Sequence, residues 1–323
     1  MTRDGAGTEA APAPHQARGL RPLAAAHGPP VDGPGQAVLT VDDRDVLAHK
    51  AAAENFPVAL RLLPRQYRAH LMAVYNFART VDDVGDEAPP DQRLQLLDEL
   101  DDDLARLYAG WRASTPENRP RYPAVVGLAE AVAECAIPQR CFRDLIDANR
   151  QDQVVTRYET FEELLGYCTL SANPVGRIVL HVFGCSTPHR AELSDAICSG
   201  LQIVEHLQDV GEDFHAGRVY LPAADMRSYG CTEADLALPA ASPQLRRLIA
   251  FETARATGLI NEGAPLVSQL RGAARVAIAG YIAGGRAALA AIAEARHDVL
   301  AGTPTPTKSR TGRELAALLV RGR

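Results

Sequence analysis

The chain has 323 residues, 46% of them hydrophobic, which suffices for one large domain or two small ones around a packed core. It carries 34 Lys and Arg against 40 Asp and Glu, so its formal net charge is −6. Because no basic excess is available to hold a phosphate backbone, this composition argues against nucleic-acid binding. The six cysteines show neither a C-x-x-C pair nor the spacing of a zinc site, and we expect reduced core thiols.

Residues 1–40 are predicted to be a disordered arm, since they are rich in Ala, Gly and Pro and carry no apolar period. No charged start followed by an apolar stretch is present there, so no signal peptide is expected. No uncharged apolar run approaches the roughly 20 residues that span a bilayer. The longest such stretch, 273–293, is interrupted by Arg275 and Arg286. A cytoplasmic protein is the resulting expectation.

From residue 41 onward Ala, Leu, Arg and Glu dominate and β-branched alternation is nearly absent, which predicts helices. Prolines and turn residues separate the predicted helices, which cover 42–53, 64–84, 91–108, 122–135, 140–153, 161–183, 190–214, 243–269 and 273–297. The sequence therefore predicts one all-α domain over 41–300. A loose tail is expected over 301–323, where Pro, Thr and Arg return.

The first acidic cluster lies at the end of the predicted helix 64–84. Four side chains share one helix face, within about 60° at about 100° per residue: Tyr75, Arg79, Asp82 and Asp86. This face carries a phenol, a guanidinium and two carboxylates in a column. Arg79 precedes Asp82 by one turn, where it could meet a phosphate group.

A second acidic cluster lies in the predicted helix 190–214. Its shared face, about 80° wide, holds Gln202, Glu205, Asp209 and Asp213. Stacked carboxylates at i, i+4 repel by a few tenths of a kcal/mol, so stability alone does not explain them. Mg²⁺ would remove the conflict, because it takes oxygen ligands and bridges carboxylates to substrate phosphates.

An acidic pair alone does not define a site. Asp98 and Asp102 have the same i, i+4 spacing and are expected on a solvated helix face. The two clusters above differ from this pair because cations and phenols accompany them, including Arg218 and Tyr220 after the second cluster. Two acidic faces with adjoining arginines predict a functional site.

A di-iron bundle is a different metal hypothesis, which would use two Glu-x-x-His motifs. The spacing occurs at 212–215 and 294–297. However, Glu212 points about 100° away from Asp213 on a helix, and His297 lies by the tail. This hypothesis would also leave the first acidic cluster unused.

The clusters belong to longer motifs that resemble the squalene/phytoene synthase family over about 54–292. The matching motifs are Tyr75-x-x-x-Arg79-x-x-Asp82-Asp83-x-x-Asp86, Tyr167-Cys168 before Val175-Gly176, and Gln208-Asp209-Val210-Gly211-Glu212-Asp213 followed by Gly217-Arg218-Val219-Tyr220-Leu221-Pro222. The resemblance implies an isoprenoid-synthase helical bundle around a central cavity, with Mg²⁺ and diphosphate between the two aspartate motifs.

Residue roles follow from the resemblance by position. The implied metal ligands are Asp82, Asp86, Asp209 and Asp213, with Glu205 as a third acidic site on the second helix. Arg79, Arg218 and Tyr220 would contact diphosphate, with Tyr75 and Gln202 nearby.

Within the family the chain is most similar to hydroxysqualene synthases of bacterial hopanoid pathways. The pointers are Glu54-Asn55-Phe56-Pro57-Val58-Ala59, Ser171-Ala172-Asn173-Pro174-Val175-Gly176-Arg177 and Val204-Glu205-His206. Glu205 stands where asparagine is usual, and Gln208 where arginine is common in phytoene synthases. These polar groups are expected beside the cavity and argue against carotenoid-type chemistry.

The implied reaction is Mg²⁺-assisted loss of diphosphate from presqualene diphosphate, followed by rearrangement and capture of the cation by water. The expected apolar wall comprises Phe56, Ala172, Val175 and Gly176, with Tyr281 near the cavity mouth. Asn55 is the first candidate to hold the attacking water.

Three alternatives stay open. The same fold could condense two prenyl diphosphates head to head to presqualene diphosphate, squalene or phytoene. A binding protein or a structural helical protein would have no need of the acidic residues that this chain keeps.

The apolar run 313–321, flanked by arginines, suggests a peripheral membrane contact or a frayed helix end.

Overall fold

Helices form nearly all the regular structure in residues 63–110, 115 and 118–321, the parts of the chain that this computed structural model describes. They are α1 (Arg65–Glu87), α2 (Arg93–Tyr108), α3 (Pro123–Gly127), α4 (Ala129–Cys135), α5 (Gln139–Asp152), α6 (Phe161–Ser171), α7 (Asn173–Val182), α8 (Pro188–Gln208), α9 (Val210–His215), α10 (Ala223–Ser228), α11 (Glu233–Leu236), α12 (Pro243–Gly263), α13 (Leu266–Gln269), α14 (Gly272–Glu294) and α15 (Lys308–Arg321). Within these ranges the β structure amounts to one parallel bridge between Arg157 and Val219. The predicted all-α class is confirmed. The predicted helix 42–53 lies outside the described residues.

Several helices begin where the sequence supplies a capping side chain. The hydroxyl oxygens of Thr160, Thr187 and Ser242 each accept a hydrogen bond from the backbone N–H three residues later, at 3.2–3.3 Å. Pro188 and Pro243 follow two of these caps, in the first turn where a missing N–H costs nothing. These local signals explain why the predicted starts of α6, α8 and α12 fall within two residues of the observed ones.

Two predicted long helices are interrupted. The predicted helix 161–183 breaks at Ala172, because Pro174 occupies the first turn of a new helix and cannot donate to the preceding one. The predicted helix 190–214 breaks at Asp209, whose φ of −106° and ψ of 13° lie outside the α region. The Asp209 N–H still bonds to Glu205 at 3.0 Å, and Asp213 N–H bonds to Asp209 at 2.8 Å. The acidic column therefore continues across this break.

The C-terminal segment is ordered, so the predicted loose tail is wrong over 308–321. Leu318 of α15 is fully buried, and the guanidinium of Arg275 on α14 donates to the Leu319 carbonyl at 2.7 Å. An ion pair between Arg310 and Glu294 adds a second link. Of the apolar residues that suggested a membrane contact, Leu315, Leu318 and Leu319 repeat at helical spacing and pack in the interface with α14, whereas Val320 stays exposed.

The helix α14 is the central apolar element of the C-terminal half. By length and composition it could cross a membrane, yet 61% of its most apolar stretch is buried inside the protein. Its alanine-rich face packs against α8, α12 and α15. The burial is that expected of a core helix.

A buried carboxyl on α12 makes stability depend on pH. Glu252 is buried and accepts from Arg255 at 3.1 Å, while Arg255 also binds Asp225 at 2.6 Å. Burial, and less so Asp225, raises the pKa of Glu252 from 4.5 to about 7. Because the pKa of Glu252 is higher in the folded state than in the unfolded state, protonation of this carboxyl stabilises the fold. This stabilisation is fully present below the unfolded pKa of 4.5 and is lost as pH rises through about 7.

We therefore expect Glu252→Gln to match the wild type in stability near pH 5. Near pH 8 it should be more stable by about 1–3 kcal/mol, because glutamine needs no charge in the same place. Urea unfolding of both proteins across this pH range measures the difference. Unfolding free energies that run parallel from pH 5 to 8 would contradict the assignment.

Candidate active site

An ion pair joins the two predicted acidic regions. Arg218 donates through Nη1 to Asp86 Oδ1 at 3.2 Å, across 132 residues of sequence. The turn before Arg218 contains Gly217, whose φ of +84° favours glycine. The next residue, Val219, donates its N–H to the Thr156 carbonyl at 2.9 Å, which holds this segment beside the end of α5. The structure thus brings α1, α5 and the segment after α9 together at one place.

Asp82 lies one turn before Asp86 on the same face of α1. Its Oδ1 accepts from Asn149 Nδ2 on α5 at 3.1 Å. The side chain is solvent-accessible, yet desolvation by the surrounding protein is the main cause that raises its pKa to about 6. The Asp82 carboxyl therefore has protein close around it and still reaches solvent.

The second acidic helix presents a similar environment. Burial, its largest cause, raises the pKa of Asp209 to about 6; burial followed by the charge of Asp209 raises that of Asp213 to about 7. Glu205 is exposed one turn earlier on α8. Carboxylates that lose solvation without full compensation favour a cation nearby.

Aromatic rings form one side of this region. The His206 and Tyr220 rings stack with centroids 3.7 Å apart and an angle of 12°. Tyr167 and Tyr158 extend the cluster, with centroids 5.9 Å from Tyr220. Burial, and then Arg218, lowers the pKa of His206 to about 3, so its contact with Asp213 at 4.0 Å is not an ion pair.

Asp152, at the end of α5, is a site residue that the sequence motifs did not include. Its Oδ2 accepts from Tyr167 Oη at 2.8 Å, and burial raises its pKa to about 6. It interacts electrostatically with Arg218 and Asp86. One signal was available: Asn149 and Asp152 lie at i, i+3 on α5, on the same helix face as the buried Phe142 and Leu145.

The predicted phosphate ligand Arg79 is engaged on its own helix. Its Nη2 lies 2.7 Å from Asp83 Oδ1 and 3.4 Å from Glu87 Oε1. It also interacts electrostatically with Asp82 and Tyr75, as the shared helix face predicts. Contact with a phosphate would require Arg79 to leave these carboxylates.

The predicted substrate-binding residues occupy different settings. Ala172 is buried at the break between α6 and α7, Val175 is half-buried, and Tyr281 lies on α14 close to Cys198. A Cβ on Gly176 would lie 2.4 Å from Ser194 Oγ and 2.5 Å from Cys198 Sγ, so glycine permits close packing of α7 on α8 there. Phe56 and Asn55 lie outside the described residues.

Gln202 and Gln208, in the last two turns of α8, have different partners. Gln202 Nε2 lies 3.4 Å from His206 Nε2, which places Gln202 beside the aromatic cluster. Gln208 donates to the Pro304 carbonyl at 2.6 Å. The expectation that Gln208 places its polar group at the cavity is therefore wrong, because its amide is used to bind the segment before α15.

The residues fit Mg²⁺ held jointly with a diphosphate. Within the described part of the chain, no three Asp, Glu, His or Cys side chains come close enough to hold a metal by themselves. The available donors are carboxylate oxygens from opposite helices, and Oδ1 of Asp152 is buried there with no hydrogen-bond partner among the described residues. Mg²⁺ uses few protein carboxylates and completes its shell with water and phosphate oxygens. The donor set matches that chemistry.

The close approach of α1 and α5 allows a test of whether the contact between Asn149 and Asp82 matters for activity. A Cβ on Gly85 would lie 2.2 Å from Asn149 Oδ1, so Gly85→Ala should displace Asn149 from Asp82. We expect kcat/KM to fall by about tenfold or more, because misplaced site groups cost rate. Gly127→Ala, with no atoms within 4 Å of its Cβ, is the matched control. Equal activity of the two variants would contradict this arrangement.

Comparison with known proteins identifies the family. The family model of squalene/phytoene synthases matches residues 49–311. The chain belongs to the squalene/phytoene synthase family. It is 38% identical to the hydroxysqualene synthase of Rhodopseudomonas palustris over 68% of this chain and 72% of the relative.

Other members of the family are also similar. The presqualene diphosphate synthase of the same organism is 32% identical over 61% of this chain and 69% of the relative. The crystal structure of squalene synthase HpnC from Alicyclobacillus acidocaldarius aligns with a TM-score of 0.70 at 39% identity, covering 82% of this chain and 96% of that one. This protein is therefore an enzyme of prenyl diphosphate processing with the isoprenoid-synthase helical fold.

Proposed function

We propose that this enzyme converts presqualene diphosphate and water to hydroxysqualene and diphosphate. The observation that carries the proposal is the greater similarity to a hydroxysqualene synthase, 38%, than to the presqualene diphosphate synthase of the same organism, 32%. The arrangement supports it, because Arg218 binds Asp86 of α1, interacts electrostatically with Asp213 of α9 and lies beside the stacked rings of His206 and Tyr220.

Each acidic helix has a role in this reaction. Mg²⁺, when bound with the substrate, would supply positive charge for the departing diphosphate. The proposed ligands are Asp82, Asp86, Asp209 and Asp213, with Glu205 available on the exposed side of α8. Arg79, Arg218 and Tyr220 would donate hydrogen bonds to diphosphate oxygens, on which negative charge grows as the C–O bond breaks. Tyr75 would support Arg79, to which it is electrostatically coupled.

The remaining residues would hold the hydrocarbon and its cation. The rings of Tyr158, Tyr167 and Tyr220 pack together beside the carboxylates, and a π face of this cluster is proposed to stabilise the carbocation without reacting with it. Ala172, Val175, Gly176, Tyr281 and Phe56 are proposed to enclose the chain, with Gln202 at the edge of the aromatic cluster. Water then forms the new C–O bond and loses one proton, and Asn55 is proposed to hold that water.

Head-to-head condensation of two prenyl diphosphates is the second candidate function. It is favoured by the similarity to a presqualene diphosphate synthase and to the squalene synthase HpnC. Either function would suit a cytoplasmic enzyme that meets the membrane surface to take up or release apolar molecules.

Substrate use separates the two candidates. The purified enzyme should consume presqualene diphosphate with Mg²⁺ at the same rate with and without NADPH, because capture by water needs no hydride. Chromatography of the extracted product against hydroxysqualene measures this. Use of farnesyl or geranylgeranyl diphosphate, with no use of presqualene diphosphate, would establish the second candidate instead.

A further inference from the structure

Several buried polar atoms near the acidic residues lack hydrogen-bond partners among the described residues. Two of them belong to neighbouring segments of the site, Oδ1 of Asp152 and Nε of Arg218. An unsatisfied buried polar group costs about 1–3 kcal/mol, so such a pair needs an explanation. The two residues interact electrostatically, and the bond from Val219 to Thr156 holds their segments side by side.

The other ends of both side chains are occupied. Asp152 Oδ2 accepts from Tyr167 Oη at 2.8 Å, which fixes the orientation of the carboxylate. Arg218 Nη1 binds Asp86 Oδ1 at 3.2 Å. Arg218 therefore covers an oxygen that the proposed function assigns to Mg²⁺. A guanidinium and a metal cation on that same oxygen would repel each other at close range.

We infer that Arg218 has two positions and that Asp152 provides the second. On binding of Mg²⁺ and diphosphate, Arg218 leaves Asp86 and pairs through Nε and an Nη with Asp152. The guanidinium geometry suits such a two-point contact with a carboxylate. Tyr167 keeps Asp152 in place for it. The remaining Nη then faces the diphosphate.

Asp152 is in this scheme a positioning residue for Arg218. By binding Arg218 it frees the Asp86 carboxylate for Mg²⁺. This inference rests on the proposed function only in that a diphosphate binds at the site. It predicts a coupling between Asp152 and Arg218 that a purely structural carboxylate would lack. A carboxylate that merely adds negative charge would have the opposite effect, since its loss would strengthen anion binding.

Calorimetric binding of inorganic pyrophosphate in the presence of Mg²⁺ tests the inference on the full-length protein. Asp152→Asn should weaken binding by about 10- to 100-fold, the equivalent of one charge-assisted contact. Asp152→Glu should recover part of the loss. In an Arg218→Gln background, Asp152→Asn should have little further effect, because the pair acts as a unit. With presqualene diphosphate as the substrate, Asp152→Asn alone should raise KM by a larger factor than it lowers kcat.

The control outcomes separate the possible failures. Tyr167→Phe should weaken binding less than Asp152→Asn, because it loosens the carboxylate without removing it. If the wild type bound no pyrophosphate with Mg²⁺, the proposed function would fail. If the wild type bound and Asp152→Asn bound equally well or more tightly, only the second position of Arg218 would be refuted. If circular dichroism shows that Asp152→Asn folds poorly, Asp152→Glu is compared instead, in the wild-type and in the Arg218→Gln background. An equal loss of pyrophosphate affinity in both backgrounds would overturn the inference.

Discussion

Excess chelator is expected to abolish turnover of presqualene diphosphate, and added Mg²⁺ is expected to restore it fully. Asp82, Asp209 and Asp213 lose solvation, and burial raises the pKa of each carboxyl despite the arginines nearby. Without a metal, the departing diphosphate would meet negative charge on both sides. Several kcal/mol of transition-state stabilisation would be lost, which corresponds to at least about a thousandfold in rate.

The melting temperature provides the control for this result. Because no described cluster of three side chains holds a metal alone, chelator should leave the melting temperature of the substrate-free enzyme nearly unchanged. A combination of Mg²⁺ and pyrophosphate should raise it, since ligands that bind only the folded state stabilise it. Full activity in excess chelator would contradict a metal-dependent site.

Asp82→Ala and Asp209→Ala are each expected to lower kcat/KM by about a hundredfold or more. Each change removes a carboxylate from a different acidic region of the same site, and Arg218, in the segment after α9, joins that part of the chain to α1 through Asp86. Steady-state rates of diphosphate release measure the loss. Since Asp82 is solvent-accessible and Asp209 lies at a helix break, the fold should tolerate both changes.

Asp102→Ala is the matched control, because it removes a carboxylate from an exposed position on α2. Its activity and melting temperature should equal those of the wild type. The neighbouring acidic residues of α2 are structural: Asp98 and Asp101 bind Arg150, and Asp103 is buried where it accepts two backbone N–H groups at 2.6 and 2.7 Å. A large loss of activity in Asp102→Ala would mean that the acidic face of α2 carries the chemistry.

Periodicity predicted the helices and the two acidic faces because both depend on residues close in sequence. The position of Tyr75, Arg79, Asp82 and Asp86 on one face of α1 follows from helix geometry alone. Likewise, capping residues such as Thr160 and Ser242 located helix starts through local hydrogen bonds. These interactions need no knowledge of the tertiary fold.

Contacts between distant segments were beyond such reasoning. Asp152 joined the site because a backbone bond from Val219 to Thr156 brings Arg218 to the end of α5, and no local pattern encodes that approach. The loose tail was predicted from Pro and Thr at 303–307, yet Leu318 finds a partner surface on α14 that periodicity within the tail could not reveal. Gln208 was likewise assigned to the cavity from its place in the motif, because its contact with the distant Pro304 carbonyl is not visible in the local sequence.

Turnover in ¹⁸O-labelled water tests the central claim most directly. If water captures the cation, mass analysis of the extracted product should show one ¹⁸O atom in the hydroxyl group, with or without NADPH. The released diphosphate should remain unlabelled, because ionisation breaks the bond between carbon and oxygen rather than a bond to phosphorus. An unlabelled hydrocarbon product, squalene or dehydrosqualene, would contradict capture by water and leave the metal-dependent ionisation in place.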